Sequence, residues 1–204
     1  MPNVREELTA HITAVRETVE QSEDVIEAIV RTIAGCFTGG GKLLACGNGG
    51  SAADSQHFVA EFMNRFQLNR RPWPAIALTT DTSVLTSIGN DIGYDAVFAR
   101  QVDALARRGD ALIAISTSGA STNVLAALRM AREKGITTIG FTGENGAERL
   151  RSECDLLLVA ASRDTATIQE CHEFVYHHIA RAVEASLAER SISRRGPGPD
   201  RGVL

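Results

Sequence analysis

The sequence predicts an α/β fold, a three-layer αβα sandwich with a five-stranded parallel sheet at its centre. Short apolar runs that suit buried strands alternate along the chain with longer amphipathic segments that suit helices. This alternation is typical of parallel sheets that are covered by helices on both faces. The length of 204 residues fits one compact domain, which we expect to span residues 1–190.

The chain begins with a predicted pair of helices within residues 1–38. Val4, Leu8 and Ile12 recur at four-residue steps and start one apolar stripe, and apolar residues within 25–33 form a second. A run of glycines at 39–41 ends the second helix. Because the sequence offers these helices no obvious internal partner, we expect them to pack against another subunit; the alternative is that they cover the sheet.

Five strands and their connecting helices follow in order. The apolar runs that predict the strands are 43–46, 75–78, 111–115, 136–141 and 156–159. After the helix that begins near residue 51, a short helix is predicted at 84–88 that ends near 89–91, and further helices are predicted at 94–106, 124–133, 147–151 and from 165 to about 189. Residues 191–204 are rich in Arg, Gly and Pro, and we expect them to be disordered.

Composition excludes several classes of protein. The formal net charge of −4 does not indicate a nucleic-acid surface. No apolar run reaches the roughly 18 residues of a membrane span, and residues 1–20 lack the apolar centre of a secretory signal. The cysteines are scattered without a C-x-x-C pair, which is typical of reduced thiols in a cytoplasmic protein; a disulfide or a cysteine zinc site is the alternative.

A glycine-rich turn follows the first predicted strand. Gly47, Gly49 and Gly50 allow the chain to turn sharply and to pass close to a ligand, and Ser51 is a good cap for the next helix. The free N–H groups of such a turn suit a phosphate or a sugar. The turn matches the dinucleotide pattern only in its looser variant, and no acidic residue follows at the usual distance, so we expect no nicotinamide cofactor.

His57 and Glu61 lie four residues apart on the helix after this turn, so they share one face. Such a pair can do acid–base work or hold a metal ion; the alternative is an exposed pair on an amphipathic helix, which is a common surface feature. In the loop that follows, Arg65 can reach an anionic ligand, whereas Arg70 and Arg71 are expected to be ordinary surface charge.

A second turn with the same design follows the third predicted strand. It contains four clustered hydroxyls, those of Ser116, Thr117, Ser118 and Ser121. Hydroxyls and N–H groups at the start of a helix favour phosphate binding, although a loop that merely caps a helix has a similar composition. Both turns follow carboxyl ends of strands, so they can converge on one pocket where the winding of the sheet reverses.

The last predicted helix carries a third group of polar residues. Gln169 and His177 lie on roughly one side of this helix, and His172 can join them. The alternative is a helix with histidines on its surface, and His178 is expected to fit that description. His177 alone does not indicate a function.

Together, four motifs in order resemble those of the phosphoheptose isomerases, which are sugar-isomerase (SIS) domain proteins. The motifs are residues 47–61, 89–91, 116–121 and 168–177. Members of this family interconvert D-sedoheptulose 7-phosphate and D-glycero-D-manno-heptose 7-phosphate. The similarity extends from the leading helices to the final helix, and it implies a five-stranded SIS domain, an aldose–ketose isomerase, and a homotetramer with pockets shared between subunits.

The resemblance also implies roles for individual residues. We expect the sugar phosphate to be bound by Asn48, Gly49, Gly50, Ser51, Glu61, Arg65, Asn90, Asp91, Ser116, Thr117, Ser118, Ser121 and Gln169. Glu61 and His177 match the family's acid–base pair. His57, Glu61, Gln169 and His177 match the positions that hold Zn²⁺ in members that bind it, so we expect one zinc ion per site, with either a catalytic or a structural role.

Two alternatives stay open. One is a non-catalytic SIS-domain regulator that binds the bacterial replication initiator; such proteins share the glycine turn but lack a carboxylate at the position of Glu61. The other is an isomerase or sensor for another sugar phosphate, whose relatives share the Ser/Thr turn without the His57–Glu61 pair. The presence of Glu61 together with His177 favours the heptose isomerase.

Overall fold

Seven α-helices and five strands make up the part of the chain that the structure describes. This computed structural model describes residues 3–195, with the backbone alone for 190–195. The strands are β1 (Leu43–Gly47), β2 (Ala75–Ala77), β3 (Ala111–Ile115), β4 (Thr137–Gly143) and β5 (Leu156–Ala160). The helices are α1 (Val4–Thr38), α2 (Gly50–Met63), α3 (Thr82–Asp91), α4 (Ala99–Leu105), α5 (Thr122–Glu133), α6 (Ala147–Arg151) and α7 (Thr165–Arg195).

All five strands are parallel, in the order β2-β1-β3-β4-β5. The winding reverses where β1 pairs directly with β3, from Leu43 beside Ala111 to Gly47 beside Ile115. The turns that follow these two strands therefore lie side by side at the carboxyl edge of the sheet. This is the place where ligands bind in open α/β sheets, and it confirms the predicted arrangement of the sheet.

Alternate residues of each strand enter the two cores of the sandwich. Leu43 and Ala45 pack with residues of α1, α2 and α7 on one face. Leu44 and Cys46 pack with residues of α4 and α5 on the other. Successive side chains of a strand point to opposite faces, so an all-apolar strand contributes to two cores. This division confirms the predicted sandwich of three layers.

The predicted leading pair of helices is wrong, because α1 is one continuous helix of 35 residues. No Gly or Pro separates the two apolar stripes, so nothing in the sequence breaks the helix between them. Its second half covers the sheet, with Ile29 and Ile33 fully buried. For this half the alternative prediction, that the leading segment covers the sheet, is correct. Its first turns differ, since Val4 is 75% and Leu8 56% exposed.

Several boundaries also differ from the predictions. The helix predicted at 84–88 is α3, which begins earlier, where Asp81 accepts a hydrogen bond from Val84 N–H, and ends at Asp91, as predicted. The predicted helix at 94–106 is divided into a 3₁₀ turn, Tyr94–Ala96, and α4. The final helix continues to Arg195 instead of ending near 189, so residues 191–195 of the predicted disordered tail are helical; residues 196–204 lie outside the described range.

Two predictions from composition can be compared with the structure. The four cysteines, Cys36, Cys46, Cys154 and Cys171, are unpaired, as expected. Within residues 3–195, none of the helices combines the length and the apolar character that a bilayer crossing requires.

Candidate active site

A carboxylate and two imidazoles converge between the helices α2 and α7. His57 and Glu61 come from α2 and His177 comes from α7. His57 Nε2 lies 3.2 Å from Glu61 Oε1 and 3.3 Å from His177 Nε2. One donor atom from each of the three residues lies within 4.8 Å of the others. A single chain therefore assembles these three predicted residues in one cluster.

Two aromatic side chains hold the imidazoles in place, and neither role was predicted. The buried Tyr176 hydroxyl lies 2.9 Å from His57 Nδ1. The Phe66 ring stacks on the His177 ring, with centroids 5.7 Å apart and planes 15° from parallel. Tyr176 therefore holds His57 at the ring nitrogen that does not face the cluster, and Phe66 holds the face of the His177 ring. No local sequence signal identifies these contacts, because both join segments that are distant along the chain.

Gln169 lies directly over the start of α2. A Cβ built on Gly50 would be 2.4 Å from Gln169 Nε2 and 2.7 Å from its Oε1. The absence of a side chain at Gly50 therefore allows the Gln169 amide to reach the first turn of α2. This contact places Gln169 beside the glycine turn, and Gln169 and His177 both come from α7.

The glycine turn differs from the prediction in one respect, because Gly49 and not Ser51 is the N-cap of α2. Gly49 has φ +57, a conformation that glycine adopts at little cost. Ser51 is buried in the first turn of the helix, where its carbonyl accepts a hydrogen bond from the Ser55 hydroxyl. At Gly47 a Cβ would lie 2.6 Å from the Ser51 carbonyl oxygen, so the close turn requires glycine.

Asn48 joins the glycine turn to the start of α5. Its amide nitrogen donates to Asn123 Oδ1 at 2.8 Å, and Asn123 Nδ2 donates back to Asn48 Oδ1 at 2.9 Å. The Tyr94 hydroxyl also donates to Asn48 Oδ1, at 3.1 Å. Asn123 is buried, and this double hydrogen bond links the two turns that the sequence predicts to converge. The roles of Asn123 and Tyr94 were not predicted.

The hydroxyl turn forms a compact group at the N-terminus of α5. The Ser116 and Ser121 hydroxyls are 3.0 Å apart, and Ser118 Oγ accepts from Ala120 N–H at 3.2 Å. Gly119 has φ +62 and packs so closely that a Cβ would lie 2.5 Å from Gly146 Cα. Ser121 is the N-cap of this 12-residue helix and makes no side-chain capping bond. Hydroxyls and N–H groups here can bind an anion.

Other predicted site residues lie apart from the cluster. Arg65, Asn90 and Asp91 are exposed, and Asn90 Nδ2 donates to Asp91 Oδ1 at 2.8 Å. Within residues 3–195, no hydrogen bond or ion pair joins any of these three residues to the cluster of His57, Glu61 and His177. The single chain therefore leaves these three residues outside the cluster.

Of three further residues in this region, one has the predicted environment and two do not. His172 does not join the Gln169 face; it is fully buried, and its Nε2 donates to the Thr142 carbonyl at 3.2 Å. His178 is exposed, as predicted. The prediction that Arg70 is ordinary surface charge is wrong, because its guanidinium forms an ion pair with the buried Glu184 carboxylate at 2.8 Å.

The surroundings of the cluster shift the ionisation of two groups. Burial and the nearby Glu173 carboxylate raise the pKa of Asp54 to about 6, opposed by His57, and Asp54 Oδ2 is buried without a hydrogen-bond partner. Burial and the neighbouring His57 lower the pKa of His177, opposed by Glu173 and Glu61. The lowered pKa favours the neutral form of His177, in which one ring nitrogen can accept a proton and the other can donate one.

The fold, with a glycine turn and a hydroxyl turn at its switch point, is that of a SIS domain, and this family matches residues 7–143. A phosphoheptose isomerase of Roseiflexus sp. (strain RS-1) is 53% identical over 91% of this chain and 94% of its own length. The chain belongs to the phosphoheptose isomerase family.

Solved structures of the family have the same fold. A phosphoheptose isomerase from Francisella tularensis superposes with a TM-score of 0.85 at 34% identity, covering 89% of this chain and 96% of that one. The phosphoheptose isomerase GmhA from Neisseria gonorrhoeae gives 0.79 at 39% identity, covering 90% of this chain and all of that one. The resemblance stated from the four motifs is thereby confirmed.

Proposed function

We propose that this chain is an aldose–ketose isomerase that converts D-sedoheptulose 7-phosphate into D-glycero-D-manno-heptose 7-phosphate through an enediol. The main support is the meeting of the Glu61 carboxylate with the His177 imidazole, each about 3.2–3.3 Å from His57 Nε2. The family relatives that carry the name phosphoheptose isomerase support the choice of substrate.

The phosphate binds at the hydroxyl turn in this proposal. The hydroxyls of Ser116, Thr117, Ser118 and Ser121, together with the N-terminus of α5, offer donors and a positive dipole end to an anion. The sugar then extends toward the glycine turn, where it meets Asn48, Gly49, Gly50 and Ser51, with Gln169 above them. Anchoring the phosphate fixes the distant reacting carbons, which is the main contribution of such a site.

The reaction transfers protons within the bound sugar. Glu61 removes a proton from C1 of the ketose and the C2 carbonyl becomes the second hydroxyl of an enediol. His177 moves a proton between the oxygens on C1 and C2, and return of a proton to C2 gives the aldose, so no electron leaves the substrate. A well-placed acid or base contributes roughly 10²–10⁴-fold to such a step.

The donor set of the cluster fits a zinc ion. Two ligands held tetrahedrally at about 2.0–2.1 Å from zinc lie about 3.4 Å apart. This is close to the 3.3 Å between His57 Nε2 and His177 Nε2 and to the 3.2 Å between His57 Nε2 and Glu61 Oε1. We propose that these three residues and Gln169 hold one zinc ion, which when bound would polarise the sugar carbonyl.

Metal binding and proton transfer by the same residues are compatible in this arrangement. A carboxylate has two oxygens, so a metal ion at one oxygen of Glu61 leaves the other to accept a proton. A nitrogen that is bound to a metal ion carries no proton, so with zinc bound only the other ring nitrogen of His177 would be available for proton transfer.

We also propose a homotetramer with pockets shared between subunits, in the cytoplasm. Val4, Leu8 and Ile12 lie one turn apart on α1 and are 75%, 56% and 48% exposed, so they form an apolar stripe that a second subunit can cover. A neighbouring subunit can also bring the exposed Arg65, Asn90 and Asp91 to a pocket. Light scattering on the purified protein tests this, and a monomeric mass would contradict it. The unpaired cysteines support the cytoplasm.

The activity is tested by NMR on purified protein mixed with D-sedoheptulose 7-phosphate, with zinc and with a chelator. We expect signals of the aldose to appear, and Glu61→Gln to abolish them while the circular dichroism spectrum stays unchanged. The same protein given six-carbon amino-sugar phosphates tests the other substrate class. No conversion of any sugar phosphate under any metal condition would favour a regulatory protein.

A further inference from the structure

A buried ion pair lies behind the candidate active site. The Glu184 side chain on α7 is 2% exposed and that of Arg70 is 12% exposed, and Arg70 Nε donates to Glu184 Oε1 at 2.8 Å. Glu184 is seven residues after His177, so the two side chains lie on the same face of α7, two turns apart. A buried ion pair is costly to desolvate, and breaking it is strongly destabilising. The other contacts of Arg70 and Glu184 therefore show which parts of the protein the pair holds in place.

On one side the pair fixes the end of α2. The Arg70 guanidinium donates to the Glu61 carbonyl oxygen at 2.6 Å and to the Phe62 carbonyl oxygen at 3.1 Å. These are among the last carbonyls of the helix, which lack partners within it. The guanidinium also lies 3.6 Å from the centre of the Trp73 ring. The backbone of Glu61 is therefore held by a rigid, fully engaged side chain.

On the other side the pair fixes the loop that follows α2. Glu184 accepts hydrogen bonds from the N–H groups of Phe66 at 3.2 Å, Gln67 at 2.8 Å and Leu68 at 2.8 Å. Phe66 is the residue whose ring stacks on His177. One carboxylate on α7 thus sets the place of the aromatic ring that orients the imidazole.

We propose that Glu184 and Arg70 are positioning residues that set the relative placement of the Glu61 carboxylate and the His177 imidazole, without contacting the substrate. The inference rests on the proposed isomerase activity. Misplacement of a catalytic group by about 1 Å can lower a rate by about 10²-fold, so loss of the pair should lower kcat while leaving KM, which the phosphate turn dominates, nearly unchanged.

The protein contains a matched control for this pair. Asp110 is also a buried carboxylate paired with a cation, the ammonium of Lys42, and it accepts hydrogen bonds from Lys42 N–H at 2.9 Å and Arg107 N–H at 2.8 Å. It precedes β3, and its hydrogen bonds join it to Lys42 and Arg107 and not to His57, Glu61 or His177. Asp110→Asn removes the same charge from a similar set of donors that do not contact the cluster.

The experiment compares Glu184→Gln, Arg70→Lys and Asp110→Asn with the wild-type protein. Glutamine keeps one oxygen acceptor but replaces the other with an NH2 donor and loses the charge. Lysine cannot reproduce the two-pronged donation of arginine to carbonyl oxygens. Arg71→Lys, at the neighbouring exposed arginine, controls for the substitution itself. Melting temperature, kcat and KM are measured for each, and Arg70→Lys carries the test if Glu184→Gln does not fold.

We expect Glu184→Gln and Arg70→Lys to lower kcat by about tenfold to hundredfold, whereas Asp110→Asn lowers the melting temperature with kcat nearly unchanged. A fall in kcat that is no larger than that of Asp110→Asn would overturn the proposal.

A readout that does not depend on turnover separates this inference from the proposed function. The ring-proton NMR signal of His177, assigned by its loss in His177→Asn, should move in Glu184→Gln and Arg70→Lys, because the stacked Phe66 ring shifts. An unmoved signal would refute the positioning role whether or not the wild-type protein isomerises the sugar. An inactive wild-type protein with a moved signal would refute the isomerase alone.

Discussion

Acidification from about pH 7.5 to about pH 5 should destabilise the wild-type protein by about 2 kcal/mol more than it destabilises the His172→Gln variant. The reason is the environment of His172. Its ring is fully buried, its Nε2 donates to the Thr142 carbonyl at 3.2 Å, and its Nδ1 is buried without a partner. Burial lowers the pKa of His172 from 6.5 to about 4, opposed by the bond to Thr142.

The direction and size of the effect follow from this pKa. Between the two values the unfolded chain binds a proton at His172 and the folded protein does not, so acid favours unfolding. The contribution of the neutral, buried His172 to the free energy of unfolding is fully present above about pH 6.5, and it is lost progressively as the pH falls toward 4. One pKa unit corresponds to about 1.4 kcal/mol, and the part of the shift crossed by about pH 5 gives the 2 kcal/mol.

Urea unfolding followed by circular dichroism at both pH values measures this difference. Glutamine can still donate a hydrogen bond to Thr142 but does not titrate. His178→Gln, at an exposed histidine of the same helix, is the matched control and should keep the wild-type pH dependence. Equal pH dependence of the wild-type protein and His172→Gln would refute the argument from burial.

Two glycine substitutions give further predictions. Gly50→Ala should leave the melting temperature nearly unchanged but lower kcat/KM by about tenfold or more. The new Cβ would lie 2.4 Å from Gln169 Nε2, so it displaces this flexible side chain. Unchanged kinetics would show that Gln169 is not needed. Gly119→Ala should lower the free energy of unfolding by about 2 kcal/mol or more, since φ is +62 and the Cβ meets the Gly146 backbone at 2.5 Å. Denaturant titration measures this loss, and Gly35→Ala, with no atom within 4 Å of its Cβ, is the control for both.

The sequence predicted the parts of the fold that depend on local pattern. Every strand except β4 is a short apolar run, and the turns at Gly47 and Ser116 follow strands that end at the same edge of the sheet. The pairing of His57 with Glu61 follows from four-residue spacing on one helix. These features are determined by neighbours within a few residues, so periodicity and turn composition identify them.

Features that depend on distant contacts were missed. Arg70 and Glu184 are 114 residues apart, and nothing near Arg70 in the sequence distinguishes it from the exposed Arg71. Tyr176 reaches His57 across 119 positions, so its role follows only from the packing of α7 on α2. The continuity of α1 was missed for a different reason, because two apolar stripes on one helix have the same local pattern as two helices.

The central claim is that Glu61 moves a carbon-bound proton of the sugar, and isotope exchange tests it most directly. Wild-type protein and D-sedoheptulose 7-phosphate are incubated in deuterium oxide and followed by NMR. The account predicts deuterium at C2 of the aldose and at C1 of the remaining ketose, with neither label in Glu61→Gln. Conversion without any deuterium at these carbons, or full labelling by Glu61→Gln, would contradict it.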